Sequence, residues 1–100
     1  MLTQGLIVVC GVFPNPFSDR LNLCVTLAEP AELSVTVYDV AGERVDRFTT
    51  AGTPGNNDVI WAGVNLGGLR CASGIYLLRV SAQGPSGAQG GYWERAAIVR

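Results

Sequence analysis

One hundred residues, 48% of them hydrophobic, can fill one modest core but not two, so the chain reads as a single domain over residues 1–100. A net charge of −1 supplies no basic stripe for nucleic acid. Histidine and lysine are both absent, which removes the commonest general base, the commonest zinc ligand, the Schiff-base amine and the phosphate-loop lysine together, and no catalytic, cofactor or metal site is assigned.

No apolar run is long enough to span a bilayer, and the N-terminus shows neither the basic segment nor the cleavage site of a signal peptide. Cys10, Cys24 and Cys71 lack Cys-x-x-Cys spacing and allow at most one intramolecular disulfide. The remaining thiol is then free or pairs between chains, and buried thiols acting as small hydrophobes are the simplest alternative.

The segment Leu6 to Val12 is apolar on both parities, as expected of a strand covered on both faces or paired against another chain. Leu6, Val8 and Cys10 are therefore candidate interaction residues, and a homodimer through this strand is one reading. Pro14-Asn15-Pro16 ends the strand, because two prolines force extended backbone and remove ladder donors, and Phe13 and Phe17 pin the kink from either side.

Leu21, Leu23, Val25 and Leu27 alternate with Asn22, Cys24 and Thr26, which predicts a half-buried strand. After a turn at Glu29-Pro30-Ala31, the alternation of Leu33, Val35 and Val37 predicts an antiparallel hairpin partner for it. Asp39 to Glu43 forms the next turn, with Gly42 free to take positive φ, and the chain returns as Arg44 to Thr50. Ala51 to Asn57 has no apolar periodicity and reads as a connection.

Val59, Ile60 and Trp61 form a buried strand end with Trp61 as its anchor. A loop broken by Gly63, Gly67 and Gly68 follows, and Gly74 opens a strand from Ile75 to Val80. Ser81 to Gly91, rich in Gly, Ser and Gln, is expected as a flexible loop, and Tyr92 to Val99 as the final strand. No segment has helical apolar spacing. The fold class is all-β, an antiparallel sandwich of about seven strands.

Asp39, Glu43 and Asp46 lie close along one hairpin, but interleaved with Arg44 and Arg47 they read as a solvated face, not as a cation site. Tyr92 and Trp93 are adjacent in a strand and point to opposite faces, so one ring is expected to be exposed. An exposed ring there could stack on sugars, making a carbohydrate-binding module an alternative function; the competing arrangement puts one ring in the core and the other over an edge. Tyr38 and Tyr76 read as sandwich residues with their hydroxyls at the rim.

Three stretches in order carry a family resemblance: Val12-Phe13-Pro14-Asn15-Pro16-Phe17, then Val37-Tyr38-Asp39-Val40-Ala41-Gly42-Glu43-Arg44-Val45, then Trp61-Ala62-Gly63 leading to Ala72-Ser73-Gly74-Ile75-Tyr76. Together they resemble the immunoglobulin-like domain of the flagellar hook-capping protein and the related C-terminal sorting domain of the type IX secretion system. The resemblance runs from about Val12 to Arg100. It implies a non-enzymatic immunoglobulin-like module of a larger secreted or surface protein, with the secretion machinery or an upstream cargo domain as partner. It also marks the closing Ala96 to Arg100 as a sorting-domain tail. Ala62 departs from the acidic residue usual after the tryptophan. A stand-alone protein that self-associates through Leu6 to Val12 is the other alternative.

Overall fold

In the computed structural model, which describes residues 7–100, the chain forms seven strands: β1 (Ile7–Phe13), β2 (Leu21–Leu27), β3 (Ala31–Asp39), β4 (Arg44–Gly52), β5 (Gly55–Trp61), β6 (Gly74–Gln83) and β7 (Gln89–Ile98). They build a three-stranded antiparallel sheet in the order β1-β2-β5 and a four-stranded one in the order β4-β3-β6-β7. The all-β sandwich is as the sequence predicts. Leu6 lies outside the described residues, as do the side chains of Val8 and Cys10; β1 itself pairs with β2 inside the chain, and Ile7 is buried.

Period-two alternation chooses the buried face of each central strand. Leu21, Leu23, Val25 and Leu27 of β2 point into the space between the sheets, facing Leu33, Val35 and Val37 of β3 and Tyr76, Leu78, Val80 and Ala82 of β6. Removing these rows from water is the main driving force for closing the sandwich.

The expected hairpin between β2 and β3 does not form. Both neighbours of β2 are taken, by β1 and β5, while β3 lies between β4 and β6, so residues 28–30 carry the chain from one sheet to the other. Alternation identifies which face a strand buries, and two rows buried across a sandwich look the same in sequence as two rows buried side by side.

Two further segments are more ordered than their composition predicts. Ala51 to Asn57 is mostly strand: β4 extends to Gly52, β5 starts at Gly55, and only Thr53 and Pro54 connect them. Gly52 is required by close packing between sheets, since a Cβ there would stand 2.5 Å from Leu27 Cδ1 and 3.0 Å from Leu33 Cδ1. Ser81 to Gly91, expected as a flexible loop, is a hairpin whose ladder continues through Ser81↔Gly91, Ala82↔Gly90 and Gln83↔Gln89, leaving only residues 84–88 as the turn. Ser86 Oγ donates to Glu29 Oε1 at 2.7 Å and ties that turn to the β2–β3 connection.

The prolines of the kink end β1 as expected, and both Phe13-Pro14 and Asn15-Pro16 are cis. Beyond them Phe17 joins the edge of β7 in parallel, its N–H donating to Ala97 O (2.9 Å) and its carbonyl accepting from Val99 N (2.9 Å). Two residues earlier, the Asn15 carboxamide acts as a piece of strand: Nδ2 donates to Arg95 O (3.1 Å) and Oδ1 accepts from Ala97 N (3.0 Å). The N-terminal segment therefore belongs to both sheets and covers part of an edge that would otherwise be open.

Candidate functional site

Two regions gather the residues singled out from the sequence, one around each tryptophan. Trp61, at the end of β5, is 1% exposed. Phe17 meets it edge-on at 5.7 Å between ring centres and Tyr76 does so at 5.6 Å, giving a three-ring stack with Trp61 in the middle. Its indole N–H, which burial would otherwise strand, is shared between Asp46 Oδ2 and the Val64 carbonyl, both at 3.1 Å.

The loop from Gly63 to Ser73 folds over this stack. Gly63 has φ +71°, and a Cβ on it would approach Phe17 Cε2 to 3.2 Å and Arg100 Nη2 to 3.0 Å, so conformation and space both call for glycine. Asn65 shapes the middle of the loop by accepting backbone N–H groups from Gly67 and Leu69. Gly74 opens β6, and the Tyr76 hydroxyl donates to the Ala72 carbonyl at 2.8 Å.

Arg100 closes the assembly. Its guanidinium donates to the carbonyls of Cys71 (2.7 Å), Gly63 (2.8 Å) and Ser18, and its backbone N–H donates to Ser73 Oγ (3.0 Å). One side chain thus holds the kink, the loop and the chain's final residues together, with charge-assisted bonds that are stronger than neutral ones.

Cys24 is disulfide-bonded and Cys71 is a free, buried thiol. Burial pushes the Cys71 thiol above its ordinary 9.0, aided by nearby Asp46 and opposed by Arg100, so it stays protonated and weakly nucleophilic. Burial also raises the Tyr76 hydroxyl above its ordinary 10.0, with Cys71 and Asp39 adding to the effect.

The acidic hairpin residues have structural partners. Asp39 Oδ1 accepts from the N–H groups of Ala41 (3.0 Å) and Glu43 (2.9 Å), which fixes the turn in which Gly42 takes φ +86°. Asp46 serves the Trp61 indole. Among the described residues no three His, Cys, Asp or Glu side chains gather as a metal site.

Around the second tryptophan the two neighbouring rings point to opposite faces, but the expectation that one of them is exposed needs revision, because Tyr92 and Trp93 both are, at 39% and 56%. Tyr92 lies on the inward parity, opposite buried Val80, but β7 is the edge of a four-stranded sheet facing a three-stranded one, and at that edge the ring stays exposed. Trp93 lies on the outer face, 5.7 Å from Tyr38 and tilted 42° to it, with the Arg79 guanidinium 5.5 Å from its ring centre. Tyr38, read from sequence as a rim residue, is thus half of an outward aromatic pair. Arg79 was invisible as its companion because only the ladder places it opposite Trp93.

Two facing antiparallel sheets, a buried tryptophan between them and a parallel return of the N-terminal segment to the last strand define an immunoglobulin-like sandwich. The sequence matches the FlgD Ig-like domain over residues 17–86, more than half of the chain, and the chain belongs to that family. Solved structures of the same fold include dimeric latent PorU from Porphyromonas gingivalis (19% identity, 98% of this chain and 10% of that one, TM-score 0.80). FlgD from P. aeruginosa is also similar (21%, 79% of this chain and 61% of that one, TM-score 0.66). So is PorZ, a surface component of the type-IX secretion system of P. gingivalis (24%, 90% of this chain and 11% of that one, TM-score 0.55). The chain therefore spans a tenth of PorU and about three fifths of that FlgD. No curated protein sequence matches it.

Proposed function

We propose that this domain is a non-catalytic secretion, sorting and surface-attachment module of a larger bacterial protein, acting at or outside the cell surface on cargo joined to it. The observation that supports this most is the tail: Ala96 to Arg100 is held in one shape, paired along β6, bridged to Phe17 and fastened by the Arg100 guanidinium to three carbonyls. A receptor that reads a C-terminal signal needs such a fixed presentation, since an ordered segment loses little conformational entropy on binding. Recurrence of the same fold as a small part of PorU and of PorZ, a type-IX secretion component, fits a module that travels with longer chains.

The test is export of a fluorescent protein carrying this domain at its C-terminus, in a bacterium with and without a working type IX system. Release or surface display that depends on the system, and that is lost on deleting 96–100, is the expected result. Export independent of the system, or retention of the intact fusion inside the cell, refutes the reading. Solution mass separates the self-association alternative: a dimer that survives reduction would place the open edge of β1 at an interface between copies.

A further inference from the structure

The outer face of the four-stranded sheet has a relief that follows from its register. Directly opposed outward residues form rows across β4, β3, β6 and β7. One row reads Ala51, Glu32, Gln83, Gln89; the next reads Thr49, Ser34, Ser81, Gly91; the third reads Arg47, Thr36, Arg79, Trp93. The middle row contains only small side chains, while long ones stand beside it at Glu32, Gln83 and Gln89 on one side and at Arg47, Arg79 and Trp93 on the other, so a shallow valley runs across the strands between them. Three inter-strand gaps make it about 14 Å long, and its flanking rows stand about 13 Å apart.

One hollow in the surface agrees with this relief: about 370 Å³ over Ser34, Ser81 and Gly91, bordered by Glu32, Arg79, Gln83 and Gln89. A second, of about 750 Å³, lies on the other side of Glu32 and Gln83, against Pro30, Gly84 and Pro85 at the end of the sheet, and is separate from the valley. Gly91 leaves room for the Arg79 guanidinium, which lies over it beside Trp93 (a Cβ there would stand 2.6 Å from Nη2), so at the β7 end the valley is floored by that guanidinium.

Glu32, Ser34, Arg79, Ser81, Gln83 and Gln89 make no side-chain hydrogen bond or ion pair among the described residues, although they stand side by side. The backbone of the central strands β3 and β6 is spent on their ladders, so a bound chain would find only side-chain groups on the valley floor. Those groups are hydroxyls, amides, one carboxylate and two guanidiniums, with an exposed indole at one end. This set suits a ligand that donates and accepts hydrogen bonds all along its length and presents C–H faces to an aromatic ring. An extended peptide would seek a strand edge instead.

We infer that this valley is a saccharide-binding site that takes a hexose-based oligosaccharide lying across the strands, one ring against Trp93 and the next rings over Ser81 and Ser34. Glu32 accepts hydroxyl protons from one wall, and Arg79 and the two glutamines donate from both. The inference is independent of the secretion reading, since it concerns a face remote from the Arg100 tail.

The experiment is titration of the intact protein with cellohexaose, maltohexaose, mannohexaose and hexagalacturonate, read by calorimetry and by the emission of Trp93, Trp61 being sealed from solvent. At least one saccharide is expected to bind saturably. Trp93→Ala is expected to weaken it by about tenfold or more, and Glu32→Gln severalfold. Ser81→Phe, which fills the valley floor without touching the core, is expected to abolish it, while Phe13→Ala on the opposite sheet leaves it unchanged. Unaltered melting of each variant shows that it folds. Absence of binding by all four saccharides, binding indifferent to Trp93→Ala and Ser81→Phe, or tighter binding of an unglycosylated extended peptide in the same valley each overturns the inference.

Discussion

The two tryptophans of this chain sit in opposite circumstances. Trp61 has all of its chemistry answered from within: rings on two sides, a carboxylate and a carbonyl on its N–H, and a loop closed over it by Arg100. Trp93 has a ring and a guanidinium beside it, more than half of its surface in water, and next to it polar groups that have no side-chain hydrogen bond among the described residues. A protein stabilises itself with the first kind of aromatic and meets other molecules with the second. The contrast is testable, because one ring should govern stability and the other should not.

Trp61→Ala should cost about 3–5 kcal/mol in a urea titration, through the cavity it leaves and the unsatisfied groups around it. An unchanged midpoint would remove Trp61 as the anchor. Arg100→Ala should cost about 1–3 kcal/mol, because three carbonyls lose a charged donor at once, and Arg100→Lys should recover only part of this since an ammonium cannot reproduce the planar fork. Equal stability of Arg100→Lys and the parent would show that charge alone holds the loop.

The pH dependence is subtler. Burial raises Cys71 and Tyr76 in the folded state, so the unfolded chain releases these protons first; the stability they contribute is complete below their ordinary values and is lost as pH rises through the raised ones. Unfolding midpoints should fall from about pH 9 upward, and less steeply in Cys71→Ala. A thiol reagent at neutral pH should find Cys71 only after urea is added. Smallest of all, Trp93→Ala should shift stability by about 1 kcal/mol or less. A shift as large as that of Trp61→Ala would erase the distinction between the two rings.

Much of the Trp61 region was legible in the chain itself. Leu21 to Leu27 alternate without a break and the structure buries all four of the predicted residues, while Gly42, Gly63 and Gly74 stand where turns or a strand start place them. Local sequence states these features because they depend on neighbours two to four residues away. Sheet membership was not legible: the step from β2 to β3 crosses the sandwich, and nothing in Glu29-Pro30-Ala31 distinguishes a crossing from a hairpin. Ser81 to Gly91 misled for a related reason. Its inward positions are Ala82 and Gly90 and its outward ones are Ser81, Gln83, Gln89 and Gly91, so a well-paired hairpin has the composition of a loop. The valley lay furthest from view, because its floor joins residues from four strands that only the register brings into line.

The fastening of Asn15, Phe17 and Ser18 to residues 95–100 fixes an order of events during synthesis. These contacts join positions about eighty apart in sequence. While the chain is still emerging from the ribosome, the kink has no β7 edge to lie on and the Gly63 loop has no guanidinium to draw it shut. The sandwich can assemble its inner strands as they appear, but its seam closes only once residues 95–100 have left the ribosome and met the kink.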